Sequence, residues 1–151
     1  MISQSVEYAL RAMVHLAGLE PGVSAPSEII AARTKVPQDY LSKVLRDLTV
    51  AELIRSKRGP HGGYSLARAP AHVSMLDVVN AVDPFPRITK CPLGNPSHLK
   101  LCSLHRRIDD SMNDIERQFK QTSLAEIIAE TTGPAKSCSA LTTPTVRGAK
   151  R

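Results

Sequence analysis

The chain has 151 residues and a mass of 16.4 kDa, the size of one ordinary domain. Hydrophobic residues make up 42% of it and aromatic residues only 3%, so we expect an aliphatic core, which favours helices over a β-sandwich. The 20 Lys and Arg against 14 Asp and Glu leave a net charge of +6. This excess points to a polyanionic partner, nucleic acid or a membrane surface, with a protein that is merely basic as the alternative.

Membrane insertion and secretion are not expected. No apolar run approaches the ~20 residues of a membrane span, and the first residues lack the basic and apolar regions of a signal peptide. We therefore expect a cytoplasmic protein with reduced thiols and no membrane partner. Its three cysteines, an odd number, argue against a disulfide framework and leave a metal, redox or plain thiol role open: Cys91, Cys102 and Cys138.

The first half of the chain has the pattern of three helices and a hairpin. Apolar periodicity predicts helices over 3–19, 26–33 and 37–51, with Pro26 and Pro37 suited to first helical positions. Two short strands are predicted around a Gly-rich turn, over 53–58 and 64–67. Three helices followed by such a hairpin make a winged helix-turn-helix.

The second half is predicted to hold three more helices. Ser74 and Asp77 form a capping box that begins a helix ending near Val82, and Ser123 and Glu126 form another before a short helix over 124–131. Between them, a helix over 103–121 carries an apolar seam with spacings of three and four residues. A seam this narrow suits packing against a partner helix: Leu104, Ile108, Met112, Ile115 and Phe119.

These elements predict a mostly α protein, a winged helix-turn-helix with a long C-terminal dimerisation helix. The predicted organisation has four parts. They are a winged helix DNA-binding domain over 1–83, a sensor or linker loop over 84–102, dimerisation helices over 103–132 and a disordered basic tail over 133–151.

Cations and glycines concentrate on the predicted hairpin. Its cations lead into the tip: Arg55, Lys57 and Arg58. No acidic residue occurs between Glu52 and Asp77. Gly62 and Gly63 let the backbone approach a surface closely, while the cations neutralise phosphates or enter a narrow minor groove. A solvated hairpin is the alternative, but behind a helix-turn-helix pattern we favour DNA contact.

The third helix is the candidate recognition helix. Its first turns carry polar side chains suited to base edges and phosphates: Gln38, Asp39, Ser42, Lys43 and Arg46. Tyr40 is interpreted as a packed residue or a phosphate contact. The alternative is an ordinary amphipathic helix with a solvated face.

Residues 58–67 read Arg-Gly-Pro-His-Gly-Gly-Tyr-Ser-Leu-Ala, which matches the wing pattern RGPxGGYxLA of the Rrf2 family of bacterial transcription regulators. The chain resembles this family over roughly 1–132. Supporting pieces are Glu-Tyr-Ala-Leu-Arg at 7–11, Tyr-Leu at 40–41 followed by Leu45 and Leu48, and Leu-Asp-Val-Val-Asn-Ala-Val at 76–82.

The resemblance implies a DNA-binding regulator, which we expect to be a repressor, acting as a homodimer joined through the helix at 103–121. Such a dimer binds a palindromic operator in double-stranded DNA, with the third helix in the major groove and the wing in the minor groove. Matched to the family, two sets of residues reach DNA: Gln38, Asp39, Tyr40 and Ser42 on the recognition helix, and Arg58 and His61 on the wing.

The cysteines give a weaker signal. Iron–sulfur members of this family carry three cysteines before the long helix, the last in a Cys-x-x-His; Cys91 matches the first, Cys102 and His105 match the last pair, and the middle one is missing. His98 and a Glu7 from the partner's first helix are candidates for the gap. The resemblance thus implies an iron–sulfur cluster. The ligand types also allow a Cys2His2 set for zinc, made of Cys91, His98, Cys102 and His105. A loop without cofactor, including one with a Cys91–Cys102 disulfide, is the alternative.

Residues 91–105 are the predicted effector site, because they join the DNA-binding domain to the dimerisation helix and so affect the spacing of the recognition helices. A cofactor-free regulator controlled by a small molecule or protein partner is the alternative, as is an interaction module whose seam binds another protein.

Enzymatic activity is not expected, since the turn at 59–63 lacks the features of a phosphate-binding loop. Cys138 matches nothing in the family pattern and is interpreted as an incidental thiol.

Overall fold

The computed structural model describes residues 2–92, 94 and 100–131. Its helices are α1 (Gln4–Ala17), α2 (Ser27–Thr34), α3 (Gln38–Val50), α4 (Met75–Val82), α5 (Ser103–Gln121) and α6 (Leu124–Thr131). Strands β1 (Ile54–Lys57) and β2 (Gly63–Leu66) form an antiparallel hairpin, and a 3-10 turn that was not predicted spans Pro70–His72. The mostly α winged helix-turn-helix is confirmed. Among the described helices, none has the length and apolarity to cross a membrane.

Helix α1 is the centre of the core. Ser3 caps its first turn by accepting a hydrogen bond from the Val6 amide, and Gly18 ends the helix by donating back to the carbonyls of its last turn. Ala9, Ala12 and Met13 are fully buried. The small alanines let α2, α3, α4 and α6 all pack against this one helix.

The helix-turn-helix is built from α2 and α3. Pro26 and Pro37, expected at first helical positions, instead lie at the N-caps, because their ψ angles of 151° and 137° are extended. Their carbonyls accept the first helical hydrogen bonds, from Ile30 at 3.1 Å and from Leu41 at 3.0 Å. Lys35, at φ 57°, turns the chain between the helices in the left-handed conformation.

The wing hairpin also forms backbone hydrogen bonds to a segment outside its two strands. Its register pairs Ile54 with Leu66 and Lys57 with Gly63, so Gly63 belongs to β2, and Arg58, predicted in the first strand, lies in the turn. Ala25, just before α2, exchanges two backbone hydrogen bonds with Tyr64, of 2.9 and 2.8 Å. These bonds fix the wing relative to the start of α2.

The chain returns to the core after α5. Both predicted capping boxes are confirmed, Ser74 with Asp77 and Ser123 with Glu126. Backbone hydrogen bonds join the segment before α4 to the segment before α6, and Leu124 is fully buried in the core. Helix α6 therefore packs on the winged helix unit, whereas none of the 19 residues of α5, all of them described, is buried. The predicted four-part organisation of the chain stays a prediction.

Gly63→Ala should destabilise the protein more than Gly59→Ala does. Both glycines have positive φ, 144° and 110°, so each alanine carries about 1–3 kcal/mol of backbone strain. At Gly63 the added methyl also overlaps the Ala25 carbonyl, whereas at Gly59 it meets open space. Urea unfolding of the two variants measures the difference. Equal losses in the free energy of unfolding would show that the contact with residue 25 does not hold the wing.

Candidate DNA-binding surface and metal centre

Helix α3 separates a buried face from an exposed polar face. Leu41, Val44, Leu45 and Leu48 pack into the core. The six residues predicted to face DNA are all exposed: Gln38, Asp39, Tyr40, Ser42, Lys43 and Arg46. The Arg46 side chain is 77% exposed and only weakly paired, at 3.8 Å, with Asp47. The exposed face is therefore free to meet a ligand, as a recognition helix requires.

The first turn of α3 is fixed to its neighbours. The Gln38 amide Nε2 donates to the Ser27 hydroxyl at 3.2 Å, and the Ser42 hydroxyl donates to the Gln38 carbonyl at 3.1 Å. The Tyr40 ring packs edge-on against Tyr8 of α1, with centroids 6.0 Å apart, yet the residue remains 55% exposed. Tyr40 thus packs against the core and keeps its other side open.

The wing continues the same surface. Arg55, Lys57, Arg58 and His61 are exposed, whereas Gly62 and Gly63 are partly covered. A Cβ at Gly62 would overlap the Lys57 carbonyl, so this tight turn requires glycine there. A shallow groove of about 370 Å³ lies between the wing and the start of α2 and is lined by Ser27, Arg58 and both glycines. Ser27 also contacts Gln38, so α3, α2 and the wing form one continuous surface.

Three of the four predicted metal ligands with described positions converge, Cys91, Cys102 and His105. The sulfurs of Cys91 and Cys102 and a ring nitrogen of His105 all lie within 4.8 Å of one another. Nδ1 of His105 is 3.2 Å from the Cys102 sulfur and 3.7 Å from the Cys91 sulfur. All three residues are partly exposed. We call this group the cysteine–histidine cluster.

Helix α5 shapes the cluster. Cys102 is its N-cap and His105 lies one turn later, so both side chains lie at the positive end of the helix. The backbone amide of His105, aided by that of Leu104, lowers the pKa of the Cys102 thiol. A lower pKa favours the thiolate, which is the form that binds soft metals and reacts with oxidants.

The segment that leads to Cys91 contacts α5 through Arg87 and Ile88, and these contacts were not predicted. The Arg87 guanidinium donates to both carboxylate oxygens of Asp109, at 2.8 and 2.7 Å, and to Glu116 at 3.2 Å. The guanidinium lowers the pKa of Asp109 to about 2. The Ile88 amide also donates to Asp109, at 2.9 Å. The sequence does contain a signal for these contacts. It is a row of polar residues one and two helical turns apart on α5: Asp109, Asn113 and Glu116.

Glu7, another predicted ligand, does not join the cluster among the described residues of one protomer. Glu7 forms a salt bridge with Arg11, whose guanidinium also donates to the last carbonyl of α2, at Thr34. His98, Cys138 and the predicted disordered tail lie outside the described residues. The fourth ligand of a metal at the cluster is therefore not assigned by the structure.

The apolar seam of α5 is largely uncovered. Leu104, Ile108 and Ile115 are 65%, 43% and 38% exposed, and Met112 is partly exposed. Phe119 differs, because its ring packs edge-on against Phe85 of its own chain, with centroids 5.4 Å apart. Large side chains exposed in a row at helical spacing mark an interaction surface.

The helix-turn-helix, its wing and its exposed recognition face define a winged helix DNA-binding protein. A family model described as Rrf2, iron-dependent transcriptional regulator, matches residues 2–130. The chain belongs to the Rrf2 family. It is thus a DNA-binding transcriptional regulator and not an enzyme, as the sequence analysis predicted.

Relatives agree with this assignment. An HTH-type transcriptional regulator of Mycobacterium tuberculosis is 32% identical over 131 residues, covering 83% of this chain and 80% of the relative. An Rrf2-like regulator of Rhodobacter capsulatus is 40% identical over 87 residues, covering 55% and 57%. Two solved structures share the fold. CymR, the global cysteine regulator of B. subtilis, has a TM-score of 0.73 at 21% identity, covering 87% of this chain and 98% of CymR. IscR of T. potens has a TM-score of 0.75 at 22% identity, covering 91% and 92%.

Proposed function

We propose that two copies of this chain bind a palindromic operator, with α3 in the major groove and the wing in the adjacent minor groove. The observation that carries this proposal is the continuous surface that runs from Gln38 through Ser27 to the wing glycines. Arg55, Lys57 and Arg58 place three exposed positive charges at its wing end. Such charges position a protein on phosphates, while polar side chains on a recognition helix read base edges.

The homodimer is proposed to form through the seam of α5. Leu104, Ile108 and Ile115 leave apolar surface in water, and a second copy of the same helix is the simplest surface that covers it. Burial of apolar area contributes about 25 cal/mol per Å². A two-fold dimer would also present its recognition helices to successive major grooves, about 34 Å apart.

Arg58→Ala should weaken operator binding and reduce its salt dependence. Loss of one phosphate contact lowers the slope of log K against log salt by about 1. Arg117→Ala is the matched control, because it removes the same charge from an exposed pair with Asp114 on α5. Fluorescence anisotropy with a selected operator, from low to moderate salt, measures both slopes. If both variants bind like the parent, the wing does not contact DNA.

Ile115→Asp should convert the dimer to a monomer and abolish tight operator binding. The aspartate would place an unpaired charge in an apolar helix contact. Gln118→Asp, an exposed position of the same helix outside the seam, should leave the dimer intact. Sedimentation at micromolar concentration separates the two states. A dimer that survives Ile115→Asp would place the interface elsewhere.

We further propose that the cysteine–histidine cluster holds an iron–sulfur cluster, with zinc as the second candidate. Two thiolate sulfurs and an imidazole nitrogen within 4.8 Å are the soft donors that both groups take. Cys91, Cys102 and His105 would hold it with a further ligand. When bound, the group would make operator binding depend on iron supply and oxidation.

The surrounding helices support a route from the cluster to DNA. Cys91 belongs to the segment that follows α4, whereas Cys102 is the N-cap of α5 and His105 lies in its first turn. Helix α4 packs against both α3 and α5. A metal centre that draws the segment after α4 against α5 would therefore bias the position of α3 relative to the seam. A shift of this kind alters the spacing of the two recognition helices in a dimer.

Protein purified without oxygen should carry iron, sulfide and visible charge-transfer absorption. The absorption should be lost in Cys91→Ser and in Cys102→Ser, because each removes a thiolate ligand. Cys138→Ser is the matched control and should keep it. Absorption spectra with metal analysis test all four proteins. A colourless parent containing zinc would select the second candidate, and a metal-free parent would remove the proposed metal centre.

A further inference from the structure

The segment between α4 and the cluster is attached to α5 by a compact network. Arg87 donates four hydrogen bonds to side chains of α5, to Asp109 twice and to Asn113 and Glu116 once each. The Ile88 amide adds a further bond to Asp109. Phe85 packs on Phe119 at the other end of the segment. Asp109 lies one helical turn after His105, so the network adjoins the cysteine–histidine cluster along α5.

We infer that Arg87 is a positioning residue, which holds Cys91 against Cys102 and His105. The inference rests on the proposed cluster. Cys91 follows Ile88 by only three residues, so its backbone can stray no more than about 10 Å from that anchor. If the network is removed, Phe85 is the nearest residue of this segment that is still attached to α5. The unattached stretch of chain before Cys91 is then twice as long. Loop closure then predicts that the effective concentration of the Cys91 sulfur at its partners falls by about threefold.

The geometry distinguishes this network from an ordinary surface ion pair. Exposed pairs contribute little to stability, because solvent screens them. Here the guanidinium is bidentate on Asp109, whose side chain is only 16% exposed, and a second carboxylate shares it. The planar fork of arginine fixes direction as well as distance, which lysine cannot do. The effect is therefore expected on the position of Cys91 more than on global stability.

The test measures thiol proximity without any metal. In a Cys138→Ser background, dibromobimane bridges Cys91 and Cys102, and the ratio of bridged to singly labelled product reports their proximity independently of thiol reactivity. Arg87→Ala should lower this ratio by up to about threefold, since the Ile88 amide can still bond to Asp109, and Arg87→Lys should give an intermediate value. Arg117→Ala, which removes another exposed arginine pair from α5, should match the parent. Urea unfolding midpoints should be similar in all four proteins.

Cobalt(II) titration supplies the second readout. Charge-transfer absorption scales with the number of thiolate ligands, so Arg87→Ala should bind cobalt more weakly, with a weaker band per bound ion. Asp109→Asn keeps an oxygen for the Ile88 amide but loses the charge that pairs with Arg87. It should bind cobalt as weakly as Arg87→Ala does. A bridging ratio and cobalt affinity unchanged in both variants would overturn the inference. A parent that binds no metal but bridges in an Arg87-dependent way would remove the metal centre and leave the inference standing.

Discussion

The exposed apolar seam of α5 constrains how this chain can assemble. This helix spans 19 residues, and none is buried within the protomer. The winged helix unit completes its core without it, since α6 returns to α1 and buries Leu124 there. Apolar surface on a helix that lies outside the core contributes to stability only when another surface covers it and removes it from water. In our account that surface is a second copy, which makes DNA recognition a property of two chains.

The same helix carries the chemistry proposed for sensing. Its N-cap and first turn supply Cys102 and His105, and its polar row binds Arg87, which lies on the segment that leads to Cys91. One element thus joins the apolar seam, two cluster ligands and the attachment of the loop. Helix α4 contacts both this element and α3, so events at the cluster and at the recognition helix share a packed neighbour. In the proposed function, that arrangement would couple the effector site to operator binding in both directions, as allosteric control requires.

Much of the fold could be predicted because its signals are local. The capping boxes at Ser74 and Ser123 and the start of α5 follow from residues three or four apart. Pro26 and Pro37 were placed one position too far into their helices, since propensity alone does not separate a cap from a first turn. The Ala25–Tyr64 bonds and the Arg87 network join residues more than 20 positions apart, and no periodicity encodes such contacts. The convergence of Cys91 with Cys102 was expected from a family pattern, but what holds it was not.

Operator affinity in different states of the cluster tests the central claim most directly. Anisotropy titrations with a selected operator would compare metal-loaded, reduced metal-free and oxidised protein, alongside a Cys91→Ser, Cys102→Ser double variant. The account predicts that the parent's affinity changes between states by at least about fivefold, the lower end of ordinary allosteric coupling. It also predicts that the double variant stays at one value in all three conditions. Equal affinity of the parent in every state would show that residues 91–105 only link the DNA-binding unit to α5.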